Sequence, residues 1–92
     1  MEIKHSDDGK KGKFFIEIDG NIEAEMIYTW ALPNKIIIEH TEVSDKLKGT
    51  GAGKELVKKG VEFAREKQIK IIPLCPFANV IIKRNTEYHD VL

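Results

Sequence analysis

The stretch KLKGTGAGKELV, residues 46–57, decides how the rest of the chain is read. Glycines stand at positions 49, 51 and 53, with Lys48 before the run and Lys54 after it. From Gly53 the small or apolar residues Leu56, Val57, Gly60, Val61 and Ala64 follow i, i+3, i+4 spacing, while Lys54, Glu55, Lys58, Lys59, Glu62, Arg65 and Glu66 fall elsewhere on the wheel. That is one helix with one buried stripe. A glycine costs about 1 kcal/mol against alanine inside a helix, so Gly60 on the stripe implies a close approach of helix to sheet. Three glycines where a strand gives way to that helix either make no more than a turn or let something come near the backbone.

Upstream of the glycines the period is two. Phe14 to Ile18 ends at the turn cluster Asp19-Gly20-Asn21, and Ile22 to Trp30 alternates after it, which predicts a hairpin. Ile3-Lys4-His5 before SDDGKKG predicts a weaker first strand, and Pro33-Asn34 turns the chain into a strand over Lys35 to Val43. The consecutive Ile36, Ile37 and Ile38 predict that this strand starts covered on both faces. By parity Tyr28 and Trp30 share a face and are read as packing residues. Downstream, Lys70 to Cys75 reads as a short strand whose Pro73 suits an edge or an end. Pro76 to Arg84 reads as a short helix, with proline at its first position and cations in its last turn. The fold predicted is α+β (mixed α/β): an antiparallel meander, then a βαβ unit with parallel strands and a right-handed crossover, then a C-terminal helix.

Ninety-two residues with 41% hydrophobic content suffice for one core, so residues 1–92 are read as a single domain. Fifteen basic residues balance fifteen acidic ones. That removes the positive field expected of a nucleic-acid binder or an anionic-membrane ligand, and neither partner is expected. The charged N-terminus does not read as a signal peptide, and no apolar run approaches the roughly 20 residues of a membrane span. A lone cysteine, Cys75, fits a reducing compartment, so a cytoplasmic location is expected. His5, His40, His89 and Cys75 share no metal-ligand spacing, and no metal is expected.

Where a strand feeds a helix, the first helical N–H groups have no internal partners and the helix dipole adds positive character, which makes an anion site. Gly49, Gly51 and Gly53 would admit a phosphate onto the backbone, and Lys48 and Lys54 would add charge. Two phosphate motifs fail on spacing. A P-loop needs Ser or Thr after its lysine, and Glu55 follows Lys54; the dinucleotide fingerprint needs glycine at 54.

At these residues the chain resembles the GNAT superfamily of acyl-CoA-dependent N-acetyltransferases. The family's pyrophosphate loop runs Arg or Gln, two residues, Gly, one residue, Gly or Ala; Lys48-Gly49-Thr50-Gly51-Ala52-Gly53 fits with lysine in the arginine's place. EVSDKL resembles the approach to that loop, with Val43 in place and Asp45 where proline is common. His40-Thr41-Glu42-Val43 and Pro73-Leu74-Cys75-Pro76-Phe77 are similar to a short, single-domain acetyl-CoA-binding subfamily with a Cys-Pro-Phe motif. The resemblance, which covers essentially the whole chain, implies a minimal GNAT-like fold with splayed parallel strands. It implies acetyl-CoA (coenzyme A) bound by the amides of Lys48, Gly49, Thr50, Gly51, Ala52, Gly53 and Lys54. Its pantetheine arm would lie along the backbone of Thr41 to Val43, and an amine or protein lysine would be the acceptor. Only SDDGKKG joins the first two strands, where larger members insert two helices that build the acceptor site. The implied activity is therefore acetyl transfer to an amine, with an acyl-CoA binding or sensing module as the alternative.

Three residues are candidates for the chemistry. Cys75, between a strand end and a prolyl helix start, is either a small buried hydrophobe or a thiol aimed at the crevice beyond the strands. His40 is either a general base, since imidazole titrates near neutrality, or an ordinary strand histidine. Glu42 is a second candidate base, or simply a solvated carboxylate.

Overall fold

Alternation becomes an antiparallel meander, and the glycine stretch becomes the turn into its covering helix. The computed structural model describes residues 1–31 and 33–92. Its elements are β1 (Lys4–Asp7), β2 (Lys11–Ile18), β3 (Asn21–Ala31), β4 (Lys35–Val43), α1 (Ala52–Lys67), β5 (Lys70–Pro73) and α2 (Pro76–Arg84), with 3-10 turns at Asp45–Leu47 and Thr86–Val91. The sheet runs β1-β2-β3-β4-β5, antiparallel throughout except for the parallel pair β4–β5. The α+β architecture with a βαβ unit is the one expected. β1 starts one residue later and runs two residues further than the sequence suggested, and β2 begins at Lys11, because the ladder with β1 pairs Asp7 with Gly12. The β2–β3 turn puts Asp19 at φ 51° and Gly20 at φ 82°, the doubly left-handed pair that a two-residue hairpin needs.

The buried apolar side chains of the described residues form one cluster. Phe14 and Ile16 of β2, Ala24, Met26 and Tyr28 of β3, and Ile36 and Ile38 of β4 face Leu56, Val57, Val61 and Ala64 of α1. Gly60 does what its place on the stripe suggested: a Cβ there would lie 2.8 Å from Met26 Cε, so α1 sits where a side chain at 60 would oblige the tip of Met26 to shift. Ala78 and Ile82 of α2 and Val91 of the C-terminal turn join the same core. Arg65 fastens that turn, with Nη2 2.8 Å from Asp90 Oδ1. The other face of the sheet carries half-buried Phe15, Ile27, Thr29 and Ile37. Ile37 departs from the expectation of a strand covered on both sides, because the helices pack on the one face only.

Tyr28 and Trp30 are packing residues with polar tips. The Tyr28 hydroxyl donates to Asp7 Oδ2 at 2.5 Å and lies 2.7 Å from His5 Nε2, and Trp30 Nε1 donates to Asp7 Oδ2 at 2.8 Å. Gly12 makes room for this, since a Cβ there would collide with the Tyr28 hydroxyl. His5 stacks on Phe14 with ring centres 4.1 Å apart, so β1, exposed along its length, is tied to the core through two side chains.

Candidate functional site

β4 is longer than its parallel partner, and that inequality makes the site. The β4–β5 ladder ends at Ile38 and Pro73, after which the Cys75 N–H closes on Ile38 O at 2.9 Å. β4 runs on to Val43 with only β3 beside it. The parallel strands therefore splay, as the resemblance implied. Ser44 N–H donates to Glu23 O at 2.8 Å, which sets the phase of the β3–β4 ladder. With that phase, Thr41 and Val43 turn their N–H and C=O groups away from β3 and into the gap.

A bulge decides which side chains reach the gap. Ile27 pairs with His40 and Tyr28 with Ile38, leaving Glu39 as the extra residue of β4. Before it, Ile36 and Ile38 point toward α1; after it, Thr41 and Val43 do, opposite Met26 and Ala24. His40 and Glu42 are consequently on the open face, with Nε2 and Oε2 3.3 Å apart and both exposed. Thr29 donates its hydroxyl to Glu39 on that same face.

Cys75 meets Thr41 across the gap, Sγ to Oγ1 at 3.4 Å, and not His40, which the bulge sends to the other face. The thiol is 5% exposed. Burial works against its ionisation, but the Thr41 hydroxyl, the amides of Ala78 and Phe77 at the start of α2, and the Thr41 amide outweigh it and hold the thiol below its ordinary value. The sulfur makes no formal capping bond to α2, so these amides act through proximity and direction.

The glycine stretch becomes a cradle of amides. Gly49 and Gly51 adopt φ 80° and φ 82°, with open space where a Cβ would stand. Thr50 braces the loop by donating to Leu47 O at 2.5 Å and accepting from the Ala52 amide at 3.3 Å. Among the described residues, no group accepts from the N–H of Gly49, Gly51, Gly53 or Lys54; the first α1 bond to the loop is Glu55 N–H to Gly51 O at 3.0 Å. These unsatisfied donors and the helix dipole suit an anion. They open into a groove of about 230 Å3 lined by Val43, Leu47, Lys48, Gly49, the run from Gly51 to Lys54, and Phe77.

The two lysines differ. Lys54 has no ion-pair partner among the described residues, whereas Lys48 Nζ lies 2.9 Å from Asp45 Oδ1. The bond with Asp45 raises the Lys48 pKa and lowers that of Asp45. An incoming phosphate therefore competes with Asp45 for this ammonium. Leu47 and Phe77, which line the groove, and Asp45 beside it were not read from the sequence as site residues. Asp45 carried a signal, its i, i+3 spacing to Lys48, but Phe77 reaches Gly53 from 24 positions away with nothing local to announce it. At Gly53 the space of the missing Cβ is taken by the Phe77 ring, while its N–H remains a donor facing the cradle.

Comparison with known proteins gives a consistent result. A family profile described as GCN5-related N-acetyl-transferase matches residues 13–91. The chain is similar to Protein NATD1 of Xenopus tropicalis, 27% identical over 86 residues that cover 92% of this chain and 77% of that protein. The human Protein NATD1 is 26% identical, with coverage of 92% and 74%. Among solved structures, the NMR solution structure of a GCN5-like protein from Staphylococcus aureus superposes with a TM-score of 0.77 at 43% identity, covering 98% of this chain and 85% of that one. The ribosomal-protein-alanine N-acetyltransferase of Brucella melitensis shares the fold at a TM-score of 0.67 and 19% identity, with coverage of 84% and 63%.

Proposed function

Because the chain belongs to the GCN5-related N-acetyltransferase family, we propose that it binds acetyl-CoA in the splay between β4 and β5 and passes the acetyl group to an amine. The observation that carries the reading is the cradle: donors without acceptors at Gly49, Gly51, Gly53 and Lys54, continuous with the free edge of β4. The residues present fit the coenzyme on both counts, since a phosphate needs the donors and an amide-bearing arm needs an unpaired strand edge. Acetyl-CoA supplies the activated acyl carbonyl. The chain's residues do the rest. The loop amides and Lys54 hold the phosphates, and the N–H groups of Thr41 and Val43 bind and orient the arm and draw charge from the carbonyl. On the open face, His40 gives its Nε2–H to Glu42 and keeps Nδ1 free to take a proton from an incoming ammonium. Cys75 closes the inner end of the gap.

A second reading, a module that holds acyl-CoA without efficient transfer, is favoured by one observation. Only residues 8–10 separate β1 from β2, so among the described residues no helical wall stands over His40 and Glu42 to hold an acceptor. Calorimetric titration with acetyl-CoA, followed by thiol release against a panel of amines and lysine peptides, separates the two. Binding with turnover supports transfer, binding with no turnover supports the module, and no binding sinks both. Intact mass after incubation with acetyl-CoA, with and without hydroxylamine, tells whether the Cys75 sulfur carries an acetyl group or is only a wall.

A further inference from the structure

The three glycines of the loop are not equivalent. Gly49 and Gly51 have left-handed φ and open space within 4 Å of where a side chain would begin, so backbone conformation explains them. Gly53 is in the first turn of α1, is buried, and has no left-handed φ. A Cβ on it would lie 2.6 Å from Cζ and 2.8 Å from Cε2 of Phe77. What Gly53 provides is a seat for a ring.

That ring is not needed by the core. Ala78 and Ile82 make the buried face of α2, while Phe77 remains 40% exposed beside them. Its free side forms the groove wall with Val43 and Leu47, and the amide cradle lies next to that wall. A ligand that suits this order has an anion followed within a few bonds by a compact apolar segment. The phosphate and geminal dimethyl group of phosphopantetheine have that order; a nucleotide, with a flat polar base beyond its phosphates, does not.

Resting on the coenzyme reading above, we infer that Gly53 and Phe77 act as one unit that sets the width of the groove. Phe77 is the specificity-determining wall for the pantetheine arm, and Gly53 is the positioning residue that seats it. A methyl at position 53 drives the ring into the path of the arm, so the harm done by Gly53→Ala passes through Phe77.

The test is a cycle of wild type, Gly53→Ala, Phe77→Ala and the double variant, titrated with acetyl-CoA, S-acetyl-4′-phosphopantetheine and adenosine 3′,5′-bisphosphate, with melting curves alongside. Gly53→Ala is expected to weaken acetyl-CoA binding roughly tenfold, and Phe77→Ala roughly fivefold for both thioesters with the bisphosphate unaffected. The double variant should bind like Phe77→Ala alone, a rescue that general loss of stability does not produce. A Gly53→Ala penalty that persists in full without the ring overturns the inference, as does a Phe77→Ala loss confined to acetyl-CoA and the bisphosphate, which would put the ring against the adenosine. Wild-type protein that binds no acetyl-CoA removes the coenzyme reading itself, a result distinct from either of these.

Discussion

Gly51→Ala and Gly20→Ala form a matched pair that isolates the cradle from its backbone. Both glycines have φ 82°, and neither has an atom within 4 Å of the place a Cβ would take. Only Gly51 lines the groove; Gly20 is in the β2–β3 turn. An L-residue in the left-handed region costs about 1–2 kcal/mol, which in a domain of this size lowers the melting temperature by about 4–16 °C. Each variant should show that drop. Binding should then diverge. The methyl at position 51 stands over amides that would meet the phosphates, and forfeiting one charge-assisted bond worth ~1.5–3 kcal/mol weakens acetyl-CoA binding roughly tenfold to a hundredfold. Gly20→Ala should bind as wild type does. Differential scanning fluorimetry gives the first quantity and isothermal titration the second. If the two variants lose the same stability and bind acetyl-CoA equally well, the anion is not held at this loop.

Three further outcomes follow from the charges and bonds. Asp45→Asn should tighten acetyl-CoA binding at low salt by freeing Lys48, whereas Lys48→Ala should weaken it and flatten its salt dependence, both readable by titration at two ionic strengths. Alkylation of Cys75 by iodoacetamide should titrate with a midpoint below the ordinary thiol value of 9.0, and Thr41→Val should raise it; a midpoint at or above 9.0 would contradict the role given to Thr41 and the α2 amides. Burial, with a smaller push from Lys67, lowers the His5 pKa from 6.5 against the pull of Asp7, and the Tyr28 hydroxyl bonds the same ring. The neutral imidazole thus contributes stability that is fully present above pH 6.5 and is lost as pH falls through the lower folded-state value. Melting temperature against pH should decline over that window, and His5→Gln should flatten the decline.

What could be read from the sequence was whatever is local. The meander, the α1 stripe, the Gly60 approach and the glycine cradle each follow from spacing within a few residues. The partnerships came only with the fold. Gly12 looked like part of a charged turn until the fold set the Tyr28 hydroxyl above it. Gly53 looked like its two neighbours until Phe77 arrived from the far side of β5. His40 and Cys75 were both candidates at one centre. No periodicity could show that an extra residue at position 39 separates them, since strand parity is readable only where the ladder is unbroken. The tail after Arg84 had no pattern of its own, and it is ordered by what it leans on, with Val91 buried and Asp90 held by Arg65.

The Glu39 bulge makes β4 a strand with two phases, and chemistry is assigned by phase. Were Glu39 drawn into the ladder opposite Ile27, with no residue lost, His40 and Glu42 would turn inward against Cys75 and Thr41 and Val43 out to water, whereas deleting Glu39 would leave all four on the faces they now hold. Position-by-position comparison of catalytic residues between this protein and any relative is therefore meaningful past Ile38 only when both strands pair those residues with β3 in the same way. Two chains with identical His-Thr-Glu-Val motifs and equal counts, one bulged before the motif and one regular, would present opposite functional faces.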